Sequence, residues 1–145
     1  MTQATSRPNP MQLFDITGDQ IDQVLTRFYA RIRTHPELGP IFNGHVGISD
    51  AEWDDHIALI SRFWQGAILR EPGYDGNPMR AHMQAGNVMA EHFDPWLALF
   101  EEVVTDTLPP QTARPWIALA HRIGRGLRLG VEDLHRPKDQ APSLF

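Results

Sequence analysis

Apolar residues recur along this chain at helical spacing and almost nowhere alternate as strands require. Ile21, Val24, Leu25, Phe28, Tyr29 and Ile32 follow i, i+3, i+4, i+7, i+8 and i+11, one face of an amphipathic helix. Thr17 with Gln20 forms a capping box at its start and His35-Pro36 closes it, so the first helix is predicted over 17–34. A short helical turn over Glu37 to Phe42 follows and stops at Asn43-Gly44. Ser49 and Glu52 make a second capping box that opens the stripe Trp53, Ile57, Ile60, Trp64 and Ile68, a helix over about 50–70. Glu71 to Gly76, with a proline and two glycines, reads as a loop.

Asn77-Pro78 then supplies an N-cap and a first-turn proline for a two-turn helix over Met79 to Ala85. A third long stripe contains Phe93, Trp96, Leu97, Phe100, Val103 and Val104, and Pro95 is tolerated in its first turn. A fourth, after Pro109-Pro110, carries Trp116, Ala120, Ile123 and Leu127. Gly124, Gly126 and Gly130 weaken it, each by about 0.5 to 1 kcal/mol relative to alanine. The pattern predicts one all-α domain over 17–134, with polar or proline-bearing stretches at 1–16 and 135–145 as flexible tails.

Composition narrows the chemistry. The chain has 145 residues, 41% apolar, enough for one buried core and hardly two. It has no cysteine, which removes disulfides, thiolate metal sites, iron–sulfur clusters and covalent haem attachment, so any cofactor must be held by histidine, carboxylate or packing. A net charge of -5 argues against nucleic acid as a partner. No apolar run approaches the roughly 18 residues of a membrane helix, and Met1 to Pro10 lacks an apolar signal core, so the expected location is the cytoplasm.

The informative residues are polar groups on apolar faces. At about 100° per residue, His56 falls roughly 60° from Trp53, inside the apolar arc of the second long helix. Buried there it needs a partner, because an unsatisfied polar group costs about 1 to 3 kcal/mol; a backbone carbonyl, a metal or a cofactor would each serve. Tyr29 beside Phe28 and Trp96 within the third stripe pose the same question, and each taken alone reads as a large core residue. His82 differs, standing on a brief helix after a glycine-rich loop, where a ligand bond can position it. No His-x-x-x-His or Glu-x-x-His pair supports a zinc or di-iron bundle site, and no phosphate-cradling glycine loop follows a strand. Arg122, Arg125 and Arg128 form a charged row that reads as a solvated face or a partner surface.

Taken together these residues resemble the truncated haemoglobins, in particular group III, over about 17–130. The resemblance is carried by Phe28-Tyr29, by Leu38-Gly39-Pro40-Ile41-Phe42, and by Glu52-Trp53-Asp54-Asp55-His56 running on to Phe63-Trp64. It continues through Tyr74-Asp75-Gly76-Asn77-Pro78-Met79 up to His82, and through His92-Phe93-Asp94-Pro95-Trp96-Leu97-Ala98-Leu99-Phe100. It implies a globin-like two-over-two helical sandwich with a shortened proximal helix around non-covalent haem b. It also implies His82 as the proximal iron ligand and Tyr29, His56 and Trp96 as distal ligand-binding residues. Phe28, Phe42, Ile60, Phe63, Trp64, Tyr74, Met79, Arg80 and Phe93 then belong to the haem pocket; the sequence does not fix the propionate partners, for which Arg80 and Tyr74 are candidates. The sequence departs from the family pattern at Pro95, where members often carry arginine, and over Gln84 to Met89, which lacks the prolines found after the proximal histidine.

The function this implies is reversible binding of a diatomic ligand, oxygen first, with carbon monoxide and nitric oxide as further ligands, and not primarily catalysis. A haem oxidoreductase, acting as a nitric oxide dioxygenase with a reductase or as a peroxidase-like enzyme, is the alternative use of the same pocket. A haem-free helical interaction module would account for the stripes alone.

Overall fold

The structure, a computed structural model, describes residues 10–74, 76–78, 81–82 and 88–135. The described residues hold helices and turns and no strand. Helix α1 spans Gly18–Arg33, α2 Leu38–Val46, α3 Asp50–Trp64, α4 Phe93–Thr107 and α5 Pro110–Leu134. Both predicted capping boxes form: the Thr17 hydroxyl accepts from Gln20 N–H while the Gln20 side chain accepts from Thr17 N–H, and Ser49 and Glu52 do the same for α3. Pro95 sits third in α4, where its missing N–H costs no intrahelical bond.

Two helix boundaries differ from the pattern. Asn43-Gly44 does not end α2, because the Asn43 side chain donates to Arg33 O at 3.1 Å and so points away from the helix backbone it was expected to interrupt. The helix runs to Val46 and stops at Gly47, whose φ of 113° and ψ of -179° are open to glycine alone. The start of α2 is also unexpected in kind: His35, predicted only to close α1, turns its Nδ1 onto the N–H groups of Glu37 and Leu38 and caps the next helix. The α3 stripe continues through Ile68, but over Gln65–Leu69 the chain widens so that Arg70 N–H reaches back to Gln65 O, and Arg70 ends it in the left-handed region at φ 62°.

The helices pack as two pairs. α1 lies against α3, α4 lies against α5, and α1 joins the pairs through α4. The first pair is pinned by buried Ser61 of α3, which donates to Asp22 of α1 at 2.5 Å and accepts from Gln65 at 2.8 Å. Trp64 of α3 stacks on Phe100 of α4 at 5.9 Å and meets Trp116 of α5 edge-on at 5.6 Å, so three aromatic side chains join the two layers. Residues 10–16, expected as part of a tail, contribute to this core: Ile16 is buried, Phe14 packs on it, and Leu13 N–H donates to Ile68 O at 2.9 Å. Arg122 and Arg125 of the charged row are exposed, and Arg128 pairs with Asp94 at 2.9 Å. Among the described residues no helix is long and apolar enough to cross a membrane.

A Cβ added at Gly47 would strike the Glu52 carboxylate that caps α3. Gly47→Ala is therefore expected to destabilise the chain by about 1 to 3 kcal/mol through its backbone conformation. Urea denaturation checks this; an unchanged midpoint would contradict it.

Candidate functional site

One cavity lies between the two helix pairs, with about 240 Å³ available to the centres of water-sized molecules. Helix α3 gives it Ile60, Phe63 and Trp64, α4 gives Phe93 and Trp96, and α2 gives Phe42. Tyr74 closes against Phe63 edge-on at 5.4 Å. His45, Leu59 and Ala81, all exposed, form its rim. Apolar, aromatic walls with a few polar groups are the usual composition of a cofactor pocket.

The polar groups come from separate elements. Tyr29 reaches the cavity from α1, His56 from α3 and Trp96 from α4. Tyr29 and His56 meet edge-on, with centroids 5.8 Å apart. Tyr29 is 3% exposed, and among the described residues neither its hydroxyl, the His56 ring nor the Trp96 indole N–H has a hydrogen-bond partner. Burial pushes the Tyr29 hydroxyl well above its usual pKa, so it remains a neutral O–H donor. Burial, reinforced by nearby His45, pushes the His56 imidazole down to about 4, so that ring is neutral as well.

His82 sits on the helical turn after Pro78 and lines the same cavity. Its Nδ1 lies 2.7 Å from Pro78 O. A carbonyl can only accept, so Nδ1 carries the proton, and the neutral ring keeps its lone pair on Nε2. Burial lowers the His82 pKa despite the opposing pull of the Pro78 carbonyl, with a smaller push from His45, which favours that neutral form. Phe93 stacks on the ring at 5.8 Å and limits its rotation. This is the arrangement in which a histidine is oriented by a second bond for ligation through the other nitrogen.

The other histidines near the cavity are poorer ligands. His92 Nδ1 accepts from Met89 N–H at 2.9 Å, so in the neutral ring Nε2 holds the proton and offers no lone pair. His121 turns away from the cavity, 3.5 Å from Glu101.

Of the residues expected in the pocket, Tyr29, His56, Trp96, His82, Phe42, Ile60, Phe63, Trp64, Tyr74 and Phe93 line this one cavity. Phe28 does not: it is fully buried behind Trp96, at 5.1 Å edge-on, because its direction on α1 differs from that of Tyr29 by a residue's rotation. Met79 and Arg80 lie outside the described residues. The wall from α5, formed by Ala120, Ile123, Gly124 and Leu127, was predicted as core or as weak helix. Its only local signal is the small pair Ala120 and Gly124 at i, i+4; a Cβ on Gly124 would come within 3.4 Å of Leu97. His45 and His92 at the cavity edge carry no periodic signal.

The Bacterial-like globin family matches residues 12–122 of the chain. The chain is 40% identical over 92 residues to the Group 3 truncated hemoglobin ctb of Campylobacter jejuni, covering 63% of this chain and 72% of that protein. Its backbone superposes on the crystal structure of the group III truncated hemoglobin from Campylobacter jejuni with a TM-score of 0.78 at 32% identity, over 83% of this chain and 95% of that one. Family match, sequence identity and backbone superposition agree, and the chain belongs to the bacterial-like globin family, in its group III truncated haemoglobin branch.

Proposed function

We propose that this globin holds non-covalent haem b in the cavity through His82 Nε2 and binds oxygen there reversibly. The observation that carries the reading is the set of three buried or half-buried donors, Tyr29, His56 and Trp96, with no hydrogen-bond partner among the described residues, in one largely apolar cavity with a histidine whose tautomer leaves Nε2 free. Haem held there by His82 would supply an iron able to bind a diatomic gas reversibly.

The chain's own residues do the rest. Pro78 O holds the His82 ring in its ligating tautomer, and Phe93 fixes the ring plane. The Tyr29 hydroxyl would donate a hydrogen bond to the outer atom of a polarised ligand, its proton staying on the oxygen because burial raises its pKa. Trp96 offers a second N–H, and neutral His56 a third donor that also packs against the tyrosine ring. The aromatic walls exclude water, which keeps these bonds effective.

His82→Ala is expected to keep its helical circular dichroism and lose haem to an acceptor protein about tenfold faster or more, since about 1.4 kcal/mol of axial bonding corresponds to that factor. Wild-type haem retention with an unchanged five-coordinate spectrum would contradict the ligand assignment.

Tyr29→Phe should speed oxygen release by up to about tenfold, because one neutral hydrogen bond contributes about 0.5 to 1.5 kcal/mol. Carbon monoxide, with little charge on its outer atom, should respond less. Stopped-flow release rates for both gases test this, and equal changes for the two would contradict the donor role.

The folded-state pKa of His56, about 4, lies below the unfolded 6.5, so the unfolded chain takes up the proton first. The stability contributed by the neutral ring is complete above pH 6.5 and lost as pH falls from 6.5 towards 4. In the haem-free protein, denaturant midpoints of His56→Leu should therefore fall less steeply across that window than those of the wild type. Parallel profiles would show that His56 is not buried neutral.

A further inference from the structure

We propose that Trp53, which lies behind the cavity wall and not in it, is the positioning residue that sets the direction of the distal donors. The inference rests on the gas-binding reading of Tyr29 and His56. Trp53 is 1% exposed and does not line the cavity. Its ring meets Tyr29 at 5.9 Å, His56 edge-on at 5.6 Å and Phe42 at 6.4 Å. All three of those rings do line it.

Tyr29 and His56 have no hydrogen bond among the described residues, where ring packing is what fixes the direction of their polar atoms. Trp53 is the ring in contact with both. It is itself fixed from the far side: its Nε1–H is shared between Gly47 O at 2.9 Å and Asn43 Oδ1 at 3.2 Å, and Asn43 donates in turn to Arg33 O. The Arg33 guanidinium lies 5.4 Å from the indole centroid and is paired with Asp50 at 3.0 Å. The end of α1, the body of α2 and the turn into α3 therefore hold one indole, and that indole holds two ligand-facing side chains.

A phenyl ring would fill much of the space but would lack the N–H that ties it to α2 and the turn. Releasing the tie lets Tyr29 and His56 sample several directions, which weakens a bond that depends on alignment.

The test uses haem-loaded Trp53→Phe, which keeps an aromatic ring, and Asn43→Ala, which removes one anchor without touching Tyr29 or His56. Each is made alone and with Tyr29→Phe. Both single variants are expected to release oxygen about threefold faster than wild type and to broaden or split the infrared C–O stretching band of the carbon monoxide form. The acceleration should shrink in the Tyr29→Phe background, because Trp53 acts in part through that hydroxyl. In haem-free Asn43→Ala, which retains the indole, the ring-current-shifted NMR signals of Tyr29 should move. Wild-type rates with a single narrow band in both variants would overturn the proposal, as would an acceleration that persists in full without the tyrosine hydroxyl. If Tyr29→Phe alone leaves oxygen release unchanged, the donor role of Tyr29 on which this inference rests fails instead.

Discussion

A polar group removed from water without a partner costs about 1 to 3 kcal/mol, and folded chains rarely leave several such groups in one place. Here the Tyr29 hydroxyl, the His56 ring and the Trp96 indole N–H converge on a cavity whose other walls are aliphatic and aromatic. Phe28, Phe100, Trp64 and Trp116 form a continuous aromatic cluster that joins both helix pairs, and Trp64 is also a wall of the cavity. The donors can be kept for a guest, a local conflict of the kind expected at functional sites.

The same constraint separates histidines that composition treats as equal. His82 and His92 both line the cavity, and both use Nδ1 in a bond to the backbone. The sense of the bond decides their chemistry: His82 donates to a carbonyl and frees Nε2, whereas His92 accepts from an N–H and protonates Nε2. With burial as the main cause and His45 contributing, the pKa of both His56 and His82 is depressed, which keeps these two imidazoles neutral.

Much of this was legible in the sequence, for reasons that can be named. The stripes of α1 and α3 follow helical periodicity closely, and their caps are side-chain to backbone bonds between residues three apart, so both depend on local spacing alone. Tyr29, His56 and Trp96 were visible because each interrupts an apolar face. What could not be read is non-local. Asn43 looks like a helix breaker until Arg33 and Trp53 arrive to bind its side chain. Phe28 and Tyr29 are neighbours in sequence, yet one faces the core and the other the cavity. The α5 wall is ordinary core by pattern and becomes cavity only because a space opens opposite it. The direction of a histidine's backbone bond leaves no trace in composition.

The central claim is that the cavity is built for haem. Titrating the purified haem-free chain with haem and following the Soret absorbance measures it directly. The account predicts a break at one equivalent and, after reduction, a five-coordinate histidine-ligated spectrum that converts reversibly on exposure to carbon monoxide. A Soret band that grows without saturation, or that is indistinguishable from free haem, would contradict it.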